Sequence, residues 1–295
     1  MNDRNPVRLD PACIKCLLDK HLHAAPADAP QEKRVAFMQR MLRLIADAPM
    51  SEGAPVLVHQ IEALEKEMFG IGRDFSQEKL AFNALMLSLE SGVRQRIEAA
   101  EDPLYAAVQF AMIGNYIDFG AMERVDEEKL MELLSDSARF VPEKAAYDAF
   151  RRDVLCAKKL VYLTDNCGEI VMDKLLLSQI RRLNPAAELT VVARGGAVLN
   201  DATVEDALFV GIDEHARVMG SGSAIAGTPL SAVSAETVDV IDSADVIIAK
   251  GQANFETLRR CGRNVYYIFL CKCELFAKRF AVPRFQGMLL ADRDS

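Results

Sequence analysis

Polar residues able to bind a cation or an anion follow a short apolar run in the second half of this 295-residue chain. Asp165 and Asn166 come directly after residues 160–164, and Gly168 stands two positions further on. A carboxylate and an amide oxygen suit a hard divalent cation, and glycine lets backbone N–H groups approach an anion closely. The loop can therefore hold a metal and a phosphate group together. The alternative is that Asp165 and Asn166 only cap the following helix.

Two further loops carry residues of the same kind. Arg194 and two glycines follow the run 189–193, with Asp201 a few positions later, and Lys250 ends another apolar run with a glycine behind it. Asp201 can add a carboxylate to the cation, and the ammonium of Lys250 can pair with a phosphoryl group. Each also has a simpler explanation, because Asp201 can be a helix N-cap and Lys250 can reach solvent.

The elements that position these loops are four apolar and β-branched runs with the composition of strands buried on both faces. They are residues 160–164, 189–193, 246–249 and 265–270. Helix-like segments separate them, which predicts a doubly wound α/β layer with a parallel sheet. Since ligands of such sheets bind beyond the carboxyl ends of the strands, the loops described above are the predicted site.

The first half of the chain has a different character. Apolar residues return there at three- and four-residue steps, as at Val35, Met38 and Met41, which is typical of helices. We predict an all-helical subdomain over residues 1–155 that closes the active site. Residues 156–295 are predicted to form the α/β domain that binds metal and phosphate.

Composition excludes several classes of protein. The net charge of -8 and the pI of about 5.2 leave no basic surface for a nucleic-acid backbone. No apolar run is long enough to span a membrane, and the first residues lack the pattern of a signal peptide, so we expect a cytoplasmic protein without a membrane partner. The seven cysteines are expected to be reduced thiols, and no feature indicates an oligomeric state.

The ordered set of motifs resembles one known family, the metal-dependent damage-control phosphatases long classed as a domain of unknown function. Three motifs in the second half carry the resemblance: Asp165-Asn166-x-Gly168-Glu169-Ile170-Val171-x-Asp173, Arg194-Gly195-Gly196-x-Val198-x-Asn200-Asp201-Ala202-Thr203-x-x-Asp206 and Lys250-Gly251-Gln252-x-Asn254-Phe255-Glu256. Three others extend it over nearly the whole chain: Cys13-x-x-Cys16, Gly114-Asn115-x-Ile117-Asp118-x-Gly120 and Lys272-Cys273. The set is far more specific than any one motif.

The resemblance implies a Rossmann-like three-layer sheet with an N-terminal helical subdomain. It implies a divalent cation, Mn, Co, Ni or Mg, bound by Asp165, Asn166 and Asp201. It also implies hydrolysis of small phosphorylated metabolites, either sugar phosphates or damaged phosphometabolites. Cys167 stands where the family usually has a small residue, and we expect it to change metal preference or oxidation sensitivity rather than the reaction class.

Water activated by the cation is the expected nucleophile. Arg194 and the N–H groups near Gly168 and Glu169 are predicted to bind the phosphoryl group, with Lys250 as a second positive charge. From the helical half, Asn115 and Asp118 are predicted to reach the site. Asp118 would serve as the general base or bind a substrate hydroxyl.

Other mechanisms and functions fit parts of the same pattern. In a competing mechanism Asp165 is the nucleophile and forms an aspartyl phosphate. The alternative function is a Rossmann-type methyltransferase or nucleotide-binding module, although the glycine fingerprint of such sites is missing. A non-catalytic metal-binding scaffold is a third possibility. The glycine- and serine-rich segment 220–227 is interpreted as a mobile lid or substrate loop.

Overall fold

The computed structural model describes residues 8–70, 72, 74–117 and 126–292. The chain divides into two compact units, one ending at Asp74 and the other beginning at Phe75. This division differs from the predicted boundary near residue 155, because the helices between residues 76 and 156 belong to the same unit as the sheet. No helix within these described ranges is long and apolar enough to cross a membrane.

The first unit contains three helices, α1 (Pro11–His21), α2 (Gln31–Asp47) and α3 (Ala54–Phe69). Phe37 and Met41 of α2 and Leu57 and Ile61 of α3 are completely buried. Each pair is four residues apart, so its side chains lie on one face of its helix and meet the other pair in a common core. The helical periodicity of the sequence therefore agrees with the helices of this unit.

The second unit contains nine helices and six strands in its described part. The helices are α4 (Ser76–Glu98), α5 (Pro103–Gly114), α6 (Glu127–Ser135), α7 (Lys144–Cys156), α8 (Glu169–Leu183), α9 (Val204–Phe209), α10 (Ala235–Asp242), α11 (Gly251–Leu258) and α12 (Glu274–Phe280). The strands are β1 (Lys159–Leu163), β2 (Glu188–Ala193), β3 (Arg217–Gly220), β4 (Val246–Lys250), β5 (Val265–Leu270) and β6 (Gly287–Asp292). Two short 3₁₀ helices, Ser137–Arg139 and Ile212–Glu214, complete the described elements.

The six strands form one sheet in the order β3-β2-β1-β4-β5-β6. Strands β1 to β5 are parallel, and β6 pairs antiparallel with β5 at the edge. This is the strand order of a doubly wound sheet, in which the chain reverses direction across the sheet between β1 and β4. The predicted α/β fold with a parallel sheet is confirmed, with one antiparallel edge strand added.

The sheet is covered on both faces. Alternate residues of each strand point to opposite sides, so Tyr162 and Ile248 pack in one core with α4, α5, α7 and α8. Leu163 and Ala249 pack on the other face, where α10, α11 and α12 supply the apolar partners. The central strands consequently read as continuous apolar runs in the sequence.

Candidate active site

Two loops at the carboxyl ends of β1 and β2 are joined by backbone hydrogen bonds. The Ala202 N–H donates to the carbonyl oxygen of Asp165 at 2.7 Å, and Asn166 and Asp201 form an isolated antiparallel bridge. The fold therefore brings together the three residues predicted to bind a cation. All three are buried, with exposed fractions of 5% or less.

Helix capping does not explain these residues. Helix α8 begins after Gly168, which has a φ of +77°, and no side chain caps it. Helix α9 is capped by Thr203, which forms a reciprocal capping box with Asp206. Neither Asp165 nor Asp201 therefore caps α8 or α9, which was the alternative to a binding role.

Arg194 links the two carboxylates. Its Nε donates to Oδ2 of Asp201 at 2.6 Å, and its Nη2 lies 3.5 Å from Oδ1 of Asp165. The guanidinium is buried, and Nη2 has no hydrogen-bond partner among the described residues. A buried N–H donor left without a partner is costly, so this nitrogen is suited to an acceptor supplied by a ligand.

Asn115, which follows α5, is buried against the first loop rather than presented to a substrate. Its Nδ2 donates to Oδ2 of Asp165 at 3.0 Å and to Oε2 of Glu169 at 2.9 Å. Its Oδ1 accepts the N–H of Leu270 at 3.0 Å. Both ends of the amide are thus used within the protein, and the substrate contact of Asn115 stays a prediction.

The amide of Asn166 has a defined orientation. Its Nδ2 donates to Oδ2 of Asp165 at 2.8 Å and to Oε2 of Glu169 at 3.0 Å. The reverse orientation would place the amide oxygen against two carboxylate oxygens, which is repulsive. The oxygen of Asn166 is therefore on the side away from both carboxylates, where a cation can be bound.

Lys250, at the end of β4, is completely buried. Its ammonium donates to Oε1 of Glu169 at 2.6 Å, to Oδ1 of Asp173 at 2.7 Å and to the carbonyl oxygen of Ala111 at 2.9 Å. An ammonium has three donors, and here all three are satisfied within the protein. Lys250 consequently does not reach solvent, and its three donors are used within the protein. Its catalytic role stays a prediction.

Burial and ion pairing shift the pKa values of Lys250 and Asp173. Burial lowers the pKa of the Lys250 ammonium, but the carboxylates of Asp173 and Glu169 offset burial and hold that pKa above its ordinary value. Burial raises the pKa of Asp173 to about 7, although the charge of Lys250 acts in the opposite direction. One ammonium is thus shared by two carboxylates, of which Asp173 titrates near neutral pH.

One N–H group of the predicted anion cradle at the start of α8 is used within the protein. The N–H of Gly168 donates to Oδ1 of Asn83 at 2.6 Å, so it is not available to a phosphoryl oxygen. The side chain of Glu169 is completely buried. Asn83 also donates to Asp206 at 3.3 Å, which ties α4 to the first loop and to α9. Asn83 was not predicted, because no local sequence pattern distinguishes it.

Cys167 lies inside the first loop but faces the protein core. Its exposed fraction is 1%, and its Sγ lies 3.8 Å from the carbonyl oxygen of Asp201. Burial raises the pKa of the Cys167 thiol well above its usual range. A neutral, buried thiol is a poor metal ligand and a slow target for oxidants, so the expected effect of Cys167 on metal preference or oxidation is not supported.

The segment 220–227 supports the Arg194 loop from behind. The N–H of Gly195 donates to the Ser223 carbonyl oxygen at 2.9 Å and to Oγ of Ser221 at 3.1 Å. A β-carbon at Gly195 would lie 2.4 Å from the nitrogen of Gly222, so the two backbones touch. These contacts hold the segment in place, in contrast to the mobile lid that its composition indicated.

Asp118, the predicted base, lies outside the described residues.

The buried charges of the site are linked in two groups. Arg194 contacts Asp165 and Asp201, and Lys250 contacts Glu169 and Asp173. Within the described part of the chain no three His, Cys, Asp or Glu side chains are placed to hold a metal. A cation bound here would therefore use the amide oxygen of Asn166 beside the two Asp carboxylates.

A doubly wound α/β sheet with buried carboxylates and an arginine beyond its carboxyl strand ends defines an α/β protein whose candidate site is formed by strand-end loops. The sequence model of the damage-control phosphatase ARMT1-like domain matches residues 9–286. The chain therefore belongs to the ARMT1-like damage-control phosphatase family.

Individual relatives agree with this assignment. A damage-control phosphatase of Pyrococcus horikoshii is 29% identical over 290 residues, covering 96% of each chain. A damage-control phosphatase of Archaeoglobus fulgidus is 29% identical over 284 residues, covering 94% of this chain and 96% of the relative. The crystal structure of a DUF89 family protein from Pyrococcus horikoshii matches with a TM-score of 0.78 and 26% identity, covering 97% of this chain and 99% of that one.

The predicted resemblance and the predicted phosphatase function are confirmed at the level of the family. The family assignment favours a phosphatase over the methyltransferase or nucleotide-binding module that was the alternative. The family assignment rests on nearly the whole chain rather than on one motif, because the matched residues 9–286 include parts of both compact units.

Proposed function

We propose that this protein is a divalent-metal-dependent phosphomonoester hydrolase of small phosphorylated metabolites. The observation that carries the proposal is the meeting of Asp165, Asn166 and Asp201, which the paired loops beyond β1 and β2 bring together in a buried site. Carboxylate and amide oxygens are the ligands that a hard divalent cation prefers, so this group of side chains is suited to a bound cation. The relatives named damage-control phosphatases support the reaction class.

Asp165, Asn166 and Asp201 would hold the cation through two carboxylates and one amide oxygen. Oxygen ligands of this kind suit Mg²⁺ and Mn²⁺, and Co²⁺ and Ni²⁺ are the other proposed metals. When bound, the cation supplies a water of lowered pKa and offsets negative charge on the phosphoryl group. The protein's contribution is to fix the three oxygens on one side of the paired loops.

Arg194 is the proposed phosphate-binding residue. Its Nη2 has no hydrogen-bond partner among the described residues, while its Nε is held by Asp201. The guanidinium is therefore oriented by the protein and retains a donor for a phosphoryl oxygen. Asp118 remains the proposed general base or hydroxyl ligand from the sequence alone.

Between the two mechanisms, we favour water over Asp165 as the nucleophile. Oδ2 of Asp165 accepts hydrogen bonds from both Asn115 and Asn166, and such bonds stabilise the carboxylate and reduce its reactivity. A single turnover in ¹⁸O-labelled water distinguishes the mechanisms. We expect the label in the released phosphate and none in Asp165, whereas label in the Asp165 carboxylate would indicate an aspartyl phosphate.

Phosphate release from p-nitrophenyl phosphate and from a panel of sugar phosphates tests the function directly. Protein treated with a chelator should release no phosphate, and Mn²⁺, Co²⁺, Ni²⁺ or Mg²⁺ should restore release. Asp201→Asn keeps the shape of the side chain but removes one charged ligand, so it should lose most of the metal-dependent activity while remaining folded. Release that persists in full after chelation would contradict the proposal.

A further inference from the structure

Glu169 connects the proposed cation ligands to the buried lysine. Its Oε1 accepts from Nζ of Lys250 at 2.6 Å, and its Oε2 accepts from Nδ2 of Asn115 at 2.9 Å and from Nδ2 of Asn166 at 3.0 Å. All these neighbours are donors. A carboxylate can accept a hydrogen bond from each of these three donors. A glutamine of the same size cannot, because its NH₂ group would face one of the donors.

The amide of Asn166 has nearly the same shape in its two orientations, and only one of them presents oxygen to a cation. Glu169 selects that orientation, since its Oε2 accepts from the nitrogen of the amide. The backbone N–H of Asn166 also points to Oε2, at 3.4 Å. A rotated amide would place its oxygen against this carboxylate and against Asp165.

The same carboxylate fixes Asp165 indirectly. One amide group, Nδ2 of Asn115, donates both to Oε2 of Glu169 and to Oδ2 of Asp165. This shared donor holds Oδ2 on the side of α5 and leaves Oδ1 on the side of Arg194, at 3.5 Å. We infer that Glu169 is a positioning residue that orients Asn166 and Asp165 for binding a divalent cation. This inference rests on the proposed function, which assigns both residues to the cation.

Asp173 provides a matched comparison one helical turn away. It is also completely buried and also paired with Lys250, at 2.7 Å. Among the described residues, however, it makes no hydrogen bond to Asn166, Asn115 or Asp165. The comparison is made at pH 8, above the pKa of about 7 of Asp173, so that Glu169→Gln and Asp173→Asn each remove one negative charge and leave Lys250 with one carboxylate. At that pH the two variants differ in the contact to the proposed ligands and not in the charge that is lost.

Binding of Mn²⁺ to the purified, metal-free protein tests the inference without an activity measurement. Free Mn²⁺ is followed by electron paramagnetic resonance during a titration. Glu169→Gln is expected to raise the Kd by about 10- to 100-fold, as the loss of an orienting partner of a metal ligand does. Asp173→Asn is expected to raise it by less than about tenfold. An unchanged Kd in Glu169→Gln, or equal increases in both variants, would overturn the inference.

Circular dichroism and thermal unfolding without metal show whether each variant is folded. If Glu169→Gln does not fold, Asn115→Ser tests the same contact from the other side, since it removes the amide that joins Glu169 to Asp165. It should also raise the Kd, and an unchanged Kd would overturn the inference. The proposed function fails separately if the wild type binds no Mn²⁺. If Asp201→Asn loses Mn²⁺ binding while Glu169→Gln keeps the Kd of the wild type, the inference is overturned and the proposed function is not.

Discussion

A β-carbon at Gly251 would lie 1.8 Å from Oδ2 of Asp165. The backbone of Gly251 also has a φ of +80°, which side-chain-bearing residues rarely adopt. The turn from β4 into α11 therefore passes directly against the carboxylate that the first loop presents. Glycine is required at this position both by its conformation and by the space that Asp165 occupies.

Gly251→Ala should displace Asp165 and reduce phosphate release by about 100-fold, because small misplacements of a site residue have effects of this size. Gly92→Ala is the matched control, since Gly92 lies exposed in α4 and a β-carbon there meets nothing within 4 Å. That control should keep its activity and gain up to about 1 kcal/mol of stability. Activity retained in Gly251→Ala would show that Asp165 tolerates the displacement.

Lys250→Met should lower the free energy of unfolding by about 3–5 kcal/mol, because it leaves two buried carboxylates without their common ammonium. Lys144→Met should change it by less than about 0.5 kcal/mol, because the side chain of Lys144 is 87% exposed. Urea unfolding of both variants measures these differences. If Lys250 instead bound the phosphoryl group, its variant would keep its stability and show a raised KM.

Asp173 should make stability depend on pH in the weakly acidic range. Its pKa is about 7 in the folded protein and near 3.8 when unfolded, so the folded state binds the extra proton between these values. Protonation of Asp173 makes its full contribution to the free energy of unfolding below pH 3.8, and this contribution is lost as the pH rises through 7. Urea unfolding between pH 5 and pH 7.5 should show a decline in the wild type that is smaller in Asp173→Asn. Parallel pH profiles would contradict this assignment.

The thiols should react in an order set by exposure. Cys16 and Cys156 are exposed, whereas Cys167 is buried with a raised pKa. Iodoacetamide at pH 8 should therefore modify Cys16 and Cys156 first and Cys167 only when the protein unfolds. Peptide mass spectrometry over a time course measures the order. Equal rates for Cys156 and Cys167 would mean that the first loop opens readily.

Much of the fold follows from local patterns. The apolar runs of β1, β2, β4 and β5 are recognisable because both faces of these strands are buried. Strand β3 has no such signal, since Arg217 is exposed and the strand is only four residues long. The edge strand β6 pairs antiparallel with β5, and no local pattern distinguishes that direction.

The sequence predicts where the candidate site lies in the fold, but it predicts the contacts of the site residues only in part. Asp165, Asn166 and Asp201 were expected to meet because parallel strands place their following loops at one edge of the sheet. The partners of Lys250 are Glu169 and Asp173, which α8 places on one face at a four-residue spacing. That pairing depends on a contact across about eighty residues of sequence, which residue type and spacing do not reveal.

Crystals of the protein grown with Mn²⁺ locate the bound ion without reference to activity, because Mn²⁺ scatters X-rays anomalously. We expect one strong anomalous peak within bonding distance of a carboxylate oxygen of Asp165, Oδ1 of Asn166 and a carboxylate oxygen of Asp201. A peak at another position, or a site in which the Asn166 nitrogen faces the ion, would contradict it.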